Sequence, residues 1–513
     1  MKKLVKKSMK RCVAVSLSLA LGLGCFVTDA KTAEMKDVAT QTAANERQRI
    51  DAGIRGLNYN KYEILSNDGE KVKSFVSKEG IHNNGKFIVI ERQKKSLTTS
   101  PVDISVINSV IDRTYPGALQ LANRDLVENK PALLMAERNP IDITVNLPGL
   151  KNDNTITVEN PNYGNVTKAI DKLVDKWSAE HSSTHTLPSQ LQYTESMVYS
   201  KSQISTALNV NADFLEKSLG IDFKAIGNGE KKVMVAAFKQ IFYNVTANLP
   251  NKPSDLFADN VTIDDLKAAG MNDDNPPVMV SNVSYGRTIY VKLETSSKSK
   301  DVEAAFKALI KKVKAESSNK YSEILENSSF TAVVLGGDSQ KHSQIITKNF
   351  DEIVKVIKDN SEFSIRNPGY PISYTATLLK DNSIAMVNNV TEYIETTATE
   401  YNSGAINLKH TGGFVAQFEI TWDEVSYDAS GNEVLEKKAW NGNWADKTAP
   451  FYSTISLPAN ARNIRIFARE CTGLAWEWWR DIVNEKNVPL TSKINVNVSG
   501  TTLVPYYEIV HEK

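Results

Sequence analysis

Four β-rich runs in the middle of the chain, Tyr193 to Ser200, Val233 to Val245, Arg287 to Glu294 and Phe330 to Leu335, read as one sheet carrying two insertions of about 35 residues each. Both insertions satisfy two periodicities at once. In the first, Ile204, Ala207, Leu208, Ala212, Leu215 and Leu219 share one face of a helix. Taken two by two, Ile204, Thr206, Leu208, Val210, Ala212 and Phe214 oppose Gln203, Ser205, Asn209, Asn211 and Asp213, which is one arm of an amphipathic β-hairpin. The phase then flips to Leu219, Ile221, Phe223 and Ala225, as a turn near Glu216 requires. The second insert repeats the pattern: Val302, Ala305, Phe306, Leu309, Ile310 and Val313 form a helical stripe, while Val302, Ala304, Phe306, Ala308 and Ile310 alternate with Asp301, Glu303 and Lys307. Its second arm is weaker, with Val313, Ala315 and Tyr321 opposite Lys312, Lys314, Glu316 and Lys320.

An arm of about eleven residues, at ~3.3 Å per residue and a tilt of ~40°, spans about 28 Å and crosses a bilayer core. Either insert alone reads first as an ordinary surface helix, because short runs are ambiguous by periodicity. Two in matched positions of one sheet raise the further expectation of a helix-to-hairpin switch. Only a closed barrel satisfies backbone groups in lipid, and one chain with two hairpins cannot close a wide one. Insertion therefore requires many copies of this chain.

The N-terminus limits where such a protein acts. Lys2, Lys3, Lys6, Lys7, Lys10 and Arg11 precede an apolar run from Cys12 to Val27 and small residues at Thr28 and Ala30, a secretory signal with cleavage expected after Ala30. A lipid anchor at Cys25 is the alternative, in the poor context Gly22-Leu23-Gly24. Removing residues 1–30 takes six of the 61 basic and one of the 60 acidic residues, leaving a net charge near −4 and no basic excess for nucleic acid. Cys12 and Cys25 leave as well, so Cys471 stands as a single thiol in an exported protein and no disulfide framework exists within one chain. No later run of about 18 apolar residues writes a transmembrane helix.

Residues 31–55 are polar and predict a mobile leader. Phe87-Ile88-Val89-Ile90 is strand-like, and Asn165 to Ala179 has helical spacing ending near His181. The last hundred residues alternate in short runs such as Val415 to Trp422 and Ile494 to Val498, broken by Gly, Asn, Asp and Pro, the pattern of a β-sandwich. Trp422, Trp440, Trp444 and the Trp476 cluster make it the place to look for a membrane contact.

That cluster lies in Glu470-Cys471-Thr472-Gly473-Leu474-Ala475-Trp476-Glu477-Trp478-Trp479-Arg480. Three indoles in four residues on a glycine-containing loop suit a membrane interface, and packed core aromatics are an equal reading. The whole run is similar to the signature of the cholesterol-dependent (thiol-activated) cytolysins. The resemblance extends over the mature chain, including Lys201-Ser202-Gln203-Ile204, Glu230-Lys231-Lys232-Val233-Met234, Pro253-Ser254-Asp255-Leu256-Phe257 and Tyr285-Gly286-Arg287-Thr288.

The resemblance implies an α+β multidomain protein: an elongated four-domain molecule with a twisted central antiparallel sheet flanked by two helical inserts and a C-terminal β-sandwich. On that footing residues 31–48 are the leader, 49–65, 102–190, 241–286 and 362–385 a discontinuous domain 1, and 66–101 with 386–402 domain 2. Residues 191–240 and 287–361 are domain 3 with the two membrane-inserting hairpins, and 403–513 is domain 4, the membrane-binding sandwich. It also implies cholesterol recognition by Thr502 and Leu503 and neighbouring tip loops at Gly413 and Ala449, where Gly413 and Pro450-Phe451 depart from the family's usual Ala and His-Tyr. For assembly it implies a bend at Gly336-Gly337 with a small element blocking an edge strand, stacking of Tyr193 on Phe330, and a pair between Glu195 and Lys348 of different subunits. Those two charges are equally well solvated ones. The expected activity is that of a secreted toxin whose partners are cholesterol-containing membranes and further copies of itself in a ring inserted into the target-cell plasma membrane.

Rival readings are thin. His181 and His185 beside Glu180 lack a metalloprotease order, Gly227-Asn228-Gly229 lacks phosphate-loop spacing, and Cys471 has no identified base, so no enzyme, cofactor or metal is expected. A sterol-binding adhesin would keep the tryptophan loop and Thr502-Leu503 but would not need two doubly periodic inserts.

Overall fold

The computed structural model describes residues 27–73, 76–106, 108–181, 187–312, 322–336 and 344–512. Helix α1 spans Val27–Arg55, which corrects the mobile leader expected over 31–48. From residue 31 to 55 the sequence holds one glycine and no proline among many Ala, Glu, Gln, Lys and Arg, all strong helix formers. Ile50 and Ile54 seat its last turns in the core.

Strands β1 (Val76–Asn83) and β2 (Lys86–Thr99) join across Asn84-Gly85, both at positive φ (48° and 77°), the geometry a two-residue hairpin turn prefers. Helix α2 (Tyr163–His181) buries Val166, Ile170, Leu173 and Trp177 at the spacing seen in the sequence.

The four β-rich runs become β3 (Gln190–Met197), β4 (Lys232–Ala247), β5 (Pro277–Thr295) and β6 (Ser328–Leu335), antiparallel neighbours in that order. The first run ends early, because Ser200 is a helix N-cap whose side chain accepts from the Gln203 N–H. Strands β4 and β5 run unbroken past residues 240 and 286, with a register shift between Tyr285 and Gly286. A four-residue strand, β7 (Gln344–Thr347), pairs with β6 and covers its outer edge.

The first insert is not one helix from 204 to 219 but three: α3 (Lys201–Leu208), α4 (Ala212–Leu219) and α5 (Phe223–Gly227). Asn209 takes the left-handed conformation (φ 50°), and the Asn211 and Asp222 side chains cap the helices that follow. Short amides and carboxylates compete with helical backbone in this way. The second insert forms α6 (Val302–Lys312) and α7 (Ser322–Glu326). Val313, Lys314, Ala315, Glu316, Lys320 and Tyr321 lie outside the described residues.

The two inserts cover opposite faces of the sheet. Ile204, Leu208, Leu215 and Leu219 pack on Val233, Val235 and Ala237, whereas Val302, Phe306 and Ile310 pack on Met234, Ala236 and Phe238. The strict alternation along β4 makes this possible, since successive side chains point to opposite faces. Helix α8 (Phe350–Lys358) packs on the second face through Phe350, Ile353 and Ile357.

Strand β8 (Asn388–Asn402) pairs along the whole of β2 and leads into the sandwich. There β9 (Gly404–His410), β10 (Ala416–Tyr427), β11 (Glu433–Ala439), β12 (Phe451–Leu457), β13 (Ala461–Leu474), β14 (Glu477–Val488), β15 (Lys493–Thr501) and β16 (Val504–Glu512) form two four-stranded sheets, ordered β12-β9-β15-β16 and β11-β10-β13-β14. Their inward residues, among them Ile406, Phe418, Ile466 and Val496, make a separate core. No helix among the described residues is long and apolar enough to cross a membrane.

Candidate functional site

One end of the sandwich gathers the tryptophan loop, the Thr502-Leu503 turn and the loops carrying Gly413 and Ala449. Residues 475 and 476 turn β13 into β14, with Gly473 just before them at φ 74°. The Thr472 hydroxyl donates to the Glu477 carbonyl and accepts from the Leu474 N–H at 3.0 Å, so the loop is internally braced. That bracing leaves Trp476 82 % and Trp478 58 % exposed, while Trp479 is half-buried with the Arg469 guanidinium 4.6 Å from its ring centre. Exposed indoles held by a rigid turn bring a large apolar area to an interface at little entropic cost.

Thr502 and Leu503 are the two turn residues between β15 and β16, with Thr501 facing Val504. Leu503 is 84 % exposed and Val504 71 %. The loops interlock: the Gly413 N–H donates to the Gly500 carbonyl (2.9 Å), the Cys471 N–H to the Val415 carbonyl (2.8 Å), and Ala416 and Lys447 exchange backbone bonds two residues from the exposed Ala449. Cys471 is half-buried in β13, a strand residue beside the loop.

Arg480 joins the tryptophan loop to the Thr502 turn. Its guanidinium lies 3.3 Å from the Glu470 carboxylate, 2.6 Å from that of Glu477, and donates to the Thr502 carbonyl at 3.3 Å. Glu470 is fully buried, and burial holds its carboxyl above the usual range against the pull of Arg480. The hydrogen bond from Arg480 holds the Glu477 carboxyl below that range. Sequence reasoning placed Arg480 in the motif without this link. It missed Arg469, which also lies 4.7 Å from the Trp444 ring and pins two indoles from outside the run.

Replacing Arg480 by Gln leaves a buried carboxylate without its cation. The sandwich of the R480Q variant is expected to melt several degrees below the parent at pH 7. Arg480 pulls the Glu470 carboxyl down, so its loss raises that carboxyl further, and the added penalty is fully present above the variant's pKa and is lost as pH falls through it towards the parent's. Melting curves of both proteins at pH 7 and pH 5 check this: the gap narrows at pH 5.

The second set of residues surrounds the inserts. Gly336 ends β6 at φ 83°, and a Cβ there would lie 2.9 Å from the Gly286 carbonyl, so only glycine fits. Gly337 lies outside the described residues. Phe330 is buried against the edge of Phe350 (5.2 Å) and faces Thr347 of β7. Tyr193 stacks instead on Phe238 at 5.9 Å, on β3 at the opposite margin of this strand set. Within one chain the structure therefore does not bring Tyr193 and Phe330 together. Glu195 sits on β3 with one carboxylate oxygen buried and unbonded, and Lys348 is exposed just after β7. Gly227 closes α5 and Gly229 follows at φ 70°, which makes this stretch a helix end. His181 lies in α2 and His185 outside the described residues. No cluster of His, Cys, Asp and Glu suited to a metal occurs among the described residues.

The family model described as thiol-activated cytolysin matches residues 49–401, and that of the thiol-activated cytolysin β-sandwich domain matches residues 405–506. The chain is 60 % identical to alveolysin of Paenibacillus alvei over 511 residues, 100 % of both chains. It is 62 % identical to perfringolysin O of Clostridium perfringens over 494 residues, 96 % of this chain and 98 % of that one. Among solved structures it is similar to pneumolysin, with a TM-score of 0.83 at 40 % identity over 91 % of this chain and 99 % of the other.

Proposed function

We propose that this chain, which belongs to the thiol-activated cytolysin family, is exported, docks on cholesterol-containing membranes, assembles into a ring of identical copies and lyses the target cell through a shared β-barrel. The observation that carries the reading is the pairing of two features in one chain: an interlocked tip presenting Leu503 and Trp476, and two inserts whose apolar faces suit helix and hairpin alike.

Docking comes first, with Thr502 and Leu503 meeting the sterol and the tryptophan loop seating in the headgroup region. Gly413 and Ala449 flank them on neighbouring loops. The sheet then needs a free edge, and β7 occupies it. Displacing β7 exposes β6, which can pair with β3 of a neighbouring copy. That contact would set Phe330 beside Tyr193 and Lys348 beside Glu195, whose buried unbonded oxygen favours a partner arriving on assembly.

Conversion follows. Ile204, Leu208 and Val210 already lie buried on the sheet, so exposing them to lipid exchanges one apolar environment for another. The net gain comes chiefly from pairing strands around the ring, where every backbone group finds a partner. No nucleotide or cofactor enters this sequence.

Release of a trapped dye from liposomes, with protein lacking residues 1–30, tests the reading. Leakage is expected only when the vesicles contain cholesterol. Binding without leakage would leave an adhesin, and leakage indifferent to sterol would remove the docking step.

A further inference from the structure

Lysines tie the two inserts to each other where they join the sheet. Lys298, just ahead of α6, donates from Nζ to the carbonyl of Gly229 and, at 2.5 Å, to that of Glu230, the last residues of the first insert. In return Lys232, the first residue of β4, donates to the carbonyl of Ser299 at the start of the second insert (2.8 Å). Lys292 adds a third tie from the sheet itself, donating at 3.0 Å to the Gly220 carbonyl at the end of α4. These are charge-assisted bonds to backbone: the two from Lys298 run from the second insert to the first, and the two from Lys232 and Lys292 run from a sheet strand to an insert.

The acceptors fall in a telling register. Strands β4 and β5 pair with Glu294 facing Val233 and Thr295 facing Lys232, and there the ladder stops. Continued by the same rule, Ser297 faces Glu230 and Lys298 faces Gly229. The carbonyls that Lys298 holds are thus those of the residues that would face it and its neighbour in a longer ladder. Gly229, at φ 70°, turns the chain out of strand geometry at that point. Burial and the nearby Lys298 charge push the Lys232 ammonium down to about 8, so the two cations of the clasp lie close enough to feel each other. Glu230 and Glu400 offset the charge on the Lys298 side.

Resting on the hairpin reading above, we propose that Lys232 and Lys298 form a clasp that ties the two inserts together and presents residues 228–231 and 296–299 in the register of the extended β4–β5 ladder, so that both inserts convert as one unit. They are positioning residues: neither touches the membrane tip.

The test follows each insert separately. An environment-sensitive fluorescent amino acid is introduced by codon suppression at Ala212 or at Ala304, one in each insert, and its signal is recorded on cholesterol liposomes alongside dye leakage. In the parent protein the two time courses should coincide. In Lys298→Met, and independently in Lys232→Met, they should separate by about tenfold in half-time, the size of one partly exposed charge-assisted hydrogen bond. Lys298→Arg, which keeps a donor, should restore coincidence. Coincident signals in both Met variants, or separated signals in the parent, overturn the clasp. Absence of leakage in the parent would instead sink the pore reading, so the two failures are told apart.

Discussion

A chain carrying Thr502→Ala and Leu503→Ala should lose at least about 100-fold of its lytic activity on cholesterol liposomes while melting at the parent temperature. In the structure Leu503 is 84 % exposed and Thr502 is a turn residue whose carbonyl, not its side chain, meets Arg480, so truncation removes no core contact. On the membrane the account changes. Moving a leucine side chain from water into an apolar site is worth about 1.5–3 kcal/mol, roughly one to two decades in affinity for each copy. A ring multiplies that loss, because each further copy joins an assembly already held at the surface. Vesicle flotation measures binding and calorimetry measures the fold. Loss of lysis with unchanged flotation would mean that the pair acts after docking, and lysis at the parent level would remove it from sterol recognition altogether.

The contrast between tip and inserts shows what periodicity and motif can carry. The tryptophan run and the Thr502-Leu503 turn lie in one continuous stretch each, so their exposure follows from local sequence and hairpin geometry. Their coupling does not. Arg480 reaches the Thr502 carbonyl 22 residues away, a contact that exists only once β14 and the β15–β16 turn lie side by side. Arg469 is similar, since nothing in its surroundings along the chain indicates that Trp444 and Trp479 flank it.

In the inserts the apolar spacing was legible, but its break was not. By spacing Asn209 and Asn211 are polar members of a hairpin arm, whereas in the structure the Asn209 backbone ends one helix and the Asn211 side chain caps the next. That the inserts cover opposite faces follows from the alternation of Val233, Met234, Val235 and Ala236, which by itself shows only a strand buried on both sides. Strand β7 is four residues long and too short for any pattern. The N-terminal helix is a polar stretch without an apolar stripe and so gives no periodic signal, although its composition favours helix throughout.

Because the first insert is separate from the long β8 strand yet touches it, a covalent bond at that contact should stop pore formation without stopping docking. The Ser202 hydroxyl in α3 and the Thr391 hydroxyl in β8 are 2.5 Å apart. Two cysteine sulfurs at those positions would lie near the spacing a disulfide needs. The contact is reinforced nearby by Tyr199 stacked on Tyr393 (5.5 Å) and by the Thr99 hydroxyl donating to the Thr206 carbonyl (3.1 Å), so the bond would form in the native arrangement without moving the backbone far. Ser202 stands two residues before Ile204, where the first hairpin arm begins, and a tether there keeps the arm from leaving the sheet. The oxidised S202C/T391C protein is expected to bind cholesterol vesicles as the parent does and to release no trapped dye. Adding dithiothreitol should restore leakage to the parent rate, a change from none to full within one sample. Each single-cysteine variant, oxidised in the same way, controls for pairing with Cys471 and should leak throughout. Undiminished leakage from the oxidised double variant, with the bond verified by mass, would show that the first insert stays folded in the pore and that the barrel is built without it.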